Sequence, residues 1–411
     1  MFNRILACAV VSAVVCWRSL CPWAKRNVIQ RFPGRKRSTA STEGQSNKIG
    51  VVLINLGTPT APTPWFVRKF LVEFLTDYRV IDSLPGALRT ALVYLIISPI
   101  RCFTSGISYA KLWKRHHDSS PLLTYSQKVC EMVQERLGSA YIVKHGMRYQ
   151  EPSLASAMNA LCEVKCSGLI ILPMFPQYAS SSSGSAMEWA MRSIGQWEIV
   201  PNLHFISHFF AHPQYVTAMA RSLSPEISGV DILSFDHVLF SYHGLPWRHV
   251  ANVCDHCKKV DVSESPFPLT YSQNMKNRES HMCMHCVDDS NAYCYRAHCY
   301  ATTRRIAEAV GLKAHQHDVV FQSRFGKDPW LQPYADDIIR ALPSRGKKRV
   351  AIVGPSFVTD CLETTCELGE EYKEIFIEEG GVEWFLFPAL NDSVHWAQAI
   401  ADMVQEKARL M

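Results

Sequence analysis

Eight short apolar runs, spaced by helix-like stretches, limit what this chain can become more than any other feature. They are KIGVVLINLG (48–57), AYIVKHGMRY (140–149), GLIILPMFP (168–176), LHFISHF (203–209), FDHVLFSYHG (235–244), HDVVFQSRFG (317–326), KRVAIVGPSF (348–357) and VEWFLFPAL (382–390). Short apolar runs bounded by turn residues are the mark of strands buried on both faces of a parallel sheet. Between most of them lie stretches such as SLASAMNALCEV, TTRRIAEAVG and ETTCELGEEYKEIFIEEGG, which read as helices. Alternation of this kind predicts parallel sheets with helices on both faces. With four runs on either side of residue 230, the expected architecture is α/β, with two similar Rossmann-like lobes, 48–230 and 231–411. Each lobe is expected to be a four-stranded parallel sheet flanked by helices.

Ligands of such sheets bind beyond the carboxyl ends of the strands. Here those ends carry Asn55 to Pro59, Arg148 and Tyr149, Met174 with Gln177 and Tyr178, His243, Gln322 to Arg324, and Asp360 through Glu363. Facing lobes would gather them round a cleft walled by Met, Phe, Tyr and Trp, which suits a flat apolar ligand carrying carboxylates. His243 sits where LFSYHGLP leaves its strand at Gly244 and Pro246. Taken alone, it also fits a histidine that merely ends a strand. Glu363, Glu367, Glu370, Glu371 and Glu374 have helical spacing, and all but Glu370 fall near one face. A solvated face is the ordinary reading of such a run, yet like charges on one stripe repel, and a stripe leading from a cleft could relay cations or protons. The serine-rich SSSSGSAMEW (180–189) lacks GxGxxG and GK[ST], so it supports nucleotide binding only weakly.

The formal charge of +6 is misleading, because residues 1–42 hold eight Lys or Arg and no acid, while the remainder is near neutral. This excludes a nucleic-acid-binding face as the source of the basicity. The leader's apolar run, Ile5 to Trp17, is short for a bilayer. An Arg-rich, acid-free, Ser/Thr-containing leader over 1–47 predicts an organelle transit peptide, in the simplest reading mitochondrial, removed or disordered in the mature protein. A secretory signal is the alternative. Fifteen cysteines, an odd number and many inside apolar runs, argue against an oxidised secreted framework.

Two insertions interrupt the pattern. SLPGALRTALVYLIISPIRCFTSGIS (83–108) is strongly apolar and contains Pro85 and Pro99. It reads either as a buried helix hairpin or as an exposed lip that dips into a membrane surface. The second, 252–299, carries the knuckles Cys254-Asp255-His256-Cys257 and Cys283-Met284-His285-Cys286, with Cys294 and Cys299 as further candidates. Paired CxxC knuckles place four thiolates for one tetrahedral zinc or a 2Fe–2S cluster. Few apolar residues lie between them, so a metal would do the folding that a core cannot.

The motifs VLINLGTP, YAKLW with SPL, LPMFPQY with SGS, FSYHGLP, FQSRFGKDPWLQPYADD and DCLETTCELGEEY occur in one order from Lys48 to the C-terminus. In that order they resemble the ferrochelatases, which place ferrous iron in protoporphyrin IX. The resemblance implies the two-lobed chelatase fold and an iron-inserting lyase at the last step of haem synthesis. It implies that His243 is the active-site histidine and Glu363 its partner carboxylate, with the iron substrate handled between them. Glu367, Glu371 and Asp360 would relay protons or metal. Tyr109, Ser120, Arg148, Tyr149, Met174, Tyr178 and Trp330 would contact the porphyrin. Where some members have a second histidine two residues before the glutamate, this chain has Cys361. Some members carry a 2Fe–2S cluster on cysteines elsewhere, so the identity of a metal at 254–286 does not transfer. The family's chemistry needs these residue types. Two pyrrole N–H protons must leave, and imidazole titrates near working pH. The resemblance also implies peripheral contact with the matrix side of the mitochondrial inner membrane through the lip, or with another organelle's membrane. It is compatible with a homodimer and with no nucleic-acid partner. Insertion of cobalt, coproporphyrin as acceptor, or a non-catalytic haem or porphyrin carrier are the competing readings, and the His243/Glu363 pair counts against the carrier.

Overall fold

Every one of the eight apolar runs forms a strand. The computed structural model describes residues 46–260, 279–324, 326 and 328–411. The expected leader lies outside the described residues except for its last two positions. So do 261–278, between the two cysteine knuckles. The strands are β1 (Ser46–Gly57), β2 (Tyr141–Tyr149), β3 (Cys166–Pro173), β4 (Asn202–Phe205), β5 (His237–His243), β6 (His317–Gln322), β7 (Arg349–Val353) and β8 (Glu383–Leu386). They make two parallel four-stranded sheets, ordered β2-β1-β3-β4 and β6-β5-β7-β8. The same winding therefore occurs twice, and the first strand of each half lies inside its sheet. Central strands are covered on both faces, which is why their sequences are apolar without alternation: Val51, Val52 and Ile54 of β1 and Val238 to Phe240 of β5 are fully buried.

The helices that position the site are α1 (Pro64–Thr76), α2 (Gly86–Arg115), α3 (Pro121–Leu137), α4 (Leu154–Val164), α5 (Ser185–Ile194), α6 (Pro213–Ser222), α7 (Tyr295–Ala309), α8 (Ala335–Ala341), α9 (Tyr372–Glu378) and α10 (Val394–Ala408). Gly146 lets α4 lie directly on the first sheet, since a Cβ there would come within 2.8 Å of the Leu154 Cα. The last helix crosses back to the first half. In α10, Trp396 is fully buried, with its ring 5.7 Å from Phe209 and 6.1 Å from Tyr215. One apolar core thus runs through both lobes, from Val51 and Ile170 to Phe240 and Val353.

The helix-hairpin reading of 83–108 is corrected here. Pro85 stands at the start of α2, but Pro99 does not break it, and the helix continues to Arg115. A π-helical turn, Val93–Ile97, ends two residues before Pro99. Such a widened turn accommodates a residue that lacks an N–H and would clash with the carbonyl four positions earlier. One face of α2 carries Cys102, Gly106, Tyr109 and Trp113 into the protein. The other leaves Ile100, Phe103 and Ile107 more than 60% exposed, with Leu95 and Ile96 half exposed.

Candidate active site and four-thiol centre

His243 is the last residue of β5, a central strand, and its backbone is in register with Gln322 at the end of β6. Its Nδ1 lies 2.7 Å from the Gly244 carbonyl oxygen. A carbonyl can only accept, so Nδ1 carries the hydrogen, and in the neutral ring the lone pair is then on Nε2. Gly244 is required at this bend, because a Cβ would sit 2.7 Å from the Gln322 carbonyl oxygen and 3.3 Å from the Trp330 ring. Trp330 stands beside the bend, where its backbone bridges Pro246. Five and six residues past His243, Arg248 and His249 reach Asp82 at 2.7 and 3.2 Å, tying this segment to the loop ahead of α2.

Glu363 opens a π-helix, Glu363–Glu371, that follows β7 and runs into α9. The acid-rich stretch is therefore helical, but its first nine residues are more widely wound than an α-helix. Glu363 lies close enough to Tyr109 that its charge adds to burial in raising the phenol's pKa. Glu367 is held by three donors: Gln322 Nε2 at 2.9 Å and Ser323 Oγ at 2.5 Å on one oxygen, Tyr372 OH at 3.1 Å on the other. Gln322 is in turn oriented by Ser241, whose hydroxyl donates to its Oε1 at 2.8 Å. This chain of contacts joins the strand that carries His243 to the acidic helix. Glu371 is largely exposed, yet partial burial followed by repulsion from Glu367 and Glu374 raises its carboxyl pKa.

Asp360 does not join the stripe. It accepts from Thr364 Oγ1 at 2.9 Å and Asn391 Nδ2 at 2.6 Å, bracing the start of the π-helix. A carboxylate so occupied closes a turn.

On the facing wall, Arg148 and Tyr149 end β2. Arg148 Nη2 donates to Asp77 Oδ2 at 2.7 Å, Tyr149 OH to the same oxygen at 2.9 Å, and Ser185 Oγ to it at 2.6 Å. The Arg148 guanidinium also lies 4.6 Å from the Tyr149 ring centre. Burial pushes the Tyr149 phenol well above its ordinary pKa, so it stays protonated. Tyr109 on α2 is buried edge-on to Trp113, in a cluster that includes Tyr149 and Cys366 of the π-helix. That cluster is where the first lobe's helices meet the acidic helix of the second. Ser120 is buried, its hydroxyl donating to Thr58 Oγ1 at 3.2 Å. Tyr178 is half-buried against Tyr293, with ring centres 5.1 Å apart. Met174 is buried beside a cavity of about 10 Å³ lined by Asn55, His145 and Thr359, room for no more than one water.

The cysteine insertion gathers four buried thiols: Cys254, Cys257, Cys283 and Cys294, with all sulfurs within 4.8 Å of one another. Cys254 Sγ is 3.2 Å from Cys283 Sγ, and Cys257 Sγ is 3.7 Å from both Cys283 and Cys294. Cys286, the second cysteine of its knuckle, stands apart with its sulfur near Met282 O and Asp288. Cys294 takes the fourth corner because it caps the start of α7 over the other three. Cys299, one turn further along α7, is buried beside Tyr295 instead. Four thiolates are a donor set for a soft or borderline metal. The observed spacings approach the roughly 3.8 Å edge of a tetrahedron built on 2.3 Å metal–sulfur bonds.

Sequence reasoning did not single out Asp77, Gln322 and Ser323 as partners, Cys294 over Cys286, or Tyr295. Each acts on a residue far away in sequence, so no local spacing signals it.

Comparison with known proteins gives a consistent result. The ferrochelatase family model matches residues 48–408. A ferrochelatase of Legionella pneumophila (strain Lens) is 39% identical over 359 residues, covering 87% of this chain and 99% of its own. A ferrochelatase of Coxiella burnetii (strain Dugway 5J108-111) is 38% identical over 375 residues, covering 91% and 98%. Among solved structures, the sirohydrochlorin chelatase SirB of Bacillus subtilis subspecies spizizenii aligns over 88% of this chain and 96% of its own, at a TM-score of 0.45 and 8% identity, too loosely to add to the argument.

Proposed function

Because this chain belongs to the ferrochelatase family and so inserts ferrous iron into a porphyrin to make haem, we propose that His243 is the base that removes the pyrrole protons of protoporphyrin IX. The observation that carries this reading is the 2.7 Å contact between His243 Nδ1 and the Gly244 carbonyl oxygen. Nδ1–H is committed to the Gly244 carbonyl, which leaves Nε2 as the acceptor at a strand end beside the acidic helix. Iron enters as a dication and two pyrrole protons leave, so charge balances, and each proton needs a route out. Nε2 takes the proton, and Glu363, half-buried at the head of the stripe, is its partner across the ring. Glu371 is suited to pass protons outward, because burial and its neighbours hold its carboxyl above the ordinary range. Glu367 already accepts three hydrogen bonds, and its part is to keep the stripe anchored to β6. Tyr109, Arg148, Tyr149, Tyr178 and Trp330 form the walls. Ser120 supports the end of β1 through Thr58, and Met174 backs the first sheet beside the small cavity.

In this reading the four thiols of Cys254, Cys257, Cys283 and Cys294 hold a resident metal that supplies structure to the insertion. The close approach of the four sulfurs, all within 4.8 Å of one another, supports one tetrahedral ion such as zinc. A 2Fe–2S cluster would need the thiol pairs to spread, and metal content with a visible spectrum of anaerobically purified protein distinguishes the two. The exposed face of α2 is the membrane-contacting lip, and the acid-free leader directs the protein to mitochondria. The apolar walls favour protoporphyrin over a more carboxylated ring.

The test is His243→Ala, assayed anaerobically with ferrous iron and protoporphyrin IX. Porphyrin binding, followed by fluorescence, should persist while metallation falls by at least about 100-fold, the usual contribution of a positioned base. Substantial retained turnover removes His243 from the chemistry.

A further inference from the structure

Helix α7 touches three parts of the protein that the sequence keeps well separated. At its start, Cys294 completes the four-thiol set. The next residue, Tyr295, is buried, and its hydroxyl donates to the backbone carbonyl of His243 at 2.9 Å. One turn further, His298 is fully buried and stacked 3.8 Å from the Phe210 ring. Its Nδ1 accepts the backbone N–H of Tyr178 at 3.1 Å, and its Nε2 donates to the Ala292 carbonyl at 2.8 Å. Both ring nitrogens are thus used by a neutral imidazole, in keeping with the burial that lowers its pKa to about 3. Thr302, another turn on, accepts from Gln177 Nε2 at 3.0 Å. Along one face, then, α7 meets the metal-type centre, the strand end bearing His243, and the Gln177–Tyr178 loop of the opposite lobe.

We propose that Tyr295 is a positioning residue for iron insertion: α7, pinned at its head by the four-thiol centre, holds the His243 strand end through Tyr295 and the facing Tyr178 loop through His298. The proposal rests on the readings of the centre as a metal site and of His243 as the base. Its physical basis is leverage over one helical turn. The Cys294 thiol and the Tyr295 hydroxyl belong to adjacent residues at the helix start, so a loosened Cys294 carries Tyr295 with it. The Gly244 carbonyl that fixes the His243 tautomer belongs to the next peptide along the same backbone. Movement of the His243 carbonyl therefore changes where Nε2 points without touching the porphyrin walls. The centre would act on chemistry at the histidine by geometry alone, and no electron need pass between them.

The experiment uses the full-length protein with its native metal content, and Tyr295→Phe, which removes only the hydroxyl. Loss of one neutral hydrogen bond to a carbonyl corresponds to a fall in kcat of about 5-fold. KM for porphyrin and bound metal should be unchanged. Amide hydrogen exchange should quicken by a similar factor across 239–246 but not across 176–180. Removing the metal from wild type with a chelator should quicken exchange in both segments. An unaltered kcat and unaltered exchange at 239–246 in Tyr295→Phe overturn the positioning role. Exchange at 239–246 that is indifferent to metal removal overturns the coupling, while leaving His243 as the base. If the protein purified anaerobically holds no metal at all, the metal reading fails and the coupling with it. Should the chelated protein unfold as a whole, Tyr295→Phe with its metal in place decides the positioning role, and Cys294→Ser, read by exchange at 239–246, decides the coupling.

Discussion

Asp77→Asn is the most informative change outside the residues assigned to chemistry. Asp77 Oδ2 accepts from Arg148, Tyr149 and Ser185, while Oδ1 accepts the Arg79 backbone N–H at 2.8 Å. Its side chain is 4% exposed and that of Arg148 is 12% exposed, so the ion pair is shielded from water. Removing one partner of a buried pair costs about 3–5 kcal/mol, because the other charge is stranded. Asparagine keeps one oxygen for two of the four donors, which places the expected loss near the lower end, about 3 kcal/mol. In urea unfolding that is a midpoint shift of roughly 1 M, with the slope unchanged. Arg148→Met alone should cost less, since Asp77 keeps its other three donors. Added to Asp77→Asn, it should restore about 1–2 kcal/mol by removing the stranded cation. Iron insertion should fall in Asp77→Asn even where the protein is folded, since Arg148 and Tyr149 lose their common anchor. If Asp77→Asn costs under about 1 kcal/mol, or if Arg148→Met brings no recovery, the pair is screened and the argument from burial is wrong.

Glu371, held above its ordinary value near 4.5 by burial and by Glu367 and Glu374, keeps its proton to higher pH folded than unfolded. Its contribution to stability is therefore largest below pH 4.5, falls as pH rises through the folded pKa, and is flat above it. Glu371→Gln should be stabilising at neutral pH and without effect near pH 4, read from unfolding midpoints across that range. A stabilisation of equal size at both pH values would contradict the raised carboxyl. Replacing Ile100 and Phe103 together with Asn should weaken sedimentation with liposomes by 10-fold or more. Each buried large apolar side chain contributes about 1.5–3 kcal/mol. Unchanged sedimentation would remove α2 as the membrane-facing element.

Particular elements show what could be read early and what could not. The strands were legible because burial on both faces demands unbroken apolar runs, and β1 through β8 lie within or close to those runs. His243 and the acidic helix were legible because turn residues and helical spacing place them locally. Pro99 was misleading, since a widened turn upstream can absorb a proline and sequence spacing does not register it. Cys286 was misleading for a similar reason. A CxxC knuckle announces two thiols, but which sulfurs converge depends on where the next helix begins, and Cys294 begins it.

The linear order of residues decided the twin α/β lobes, the strand-end placement of the histidine and the acid stripe, because each follows from periods of a few residues. Only the folded arrangement decided the tautomer of His243, the three-donor anchoring of Glu367, the Asp77 clamp on Arg148 and the fourth thiol. Most of those contacts join residues tens of positions apart, up to 108 for Ser185 and Asp77, or turn on how one backbone carbonyl points. Close packing of elements, rather than pattern within an element, selects such partners.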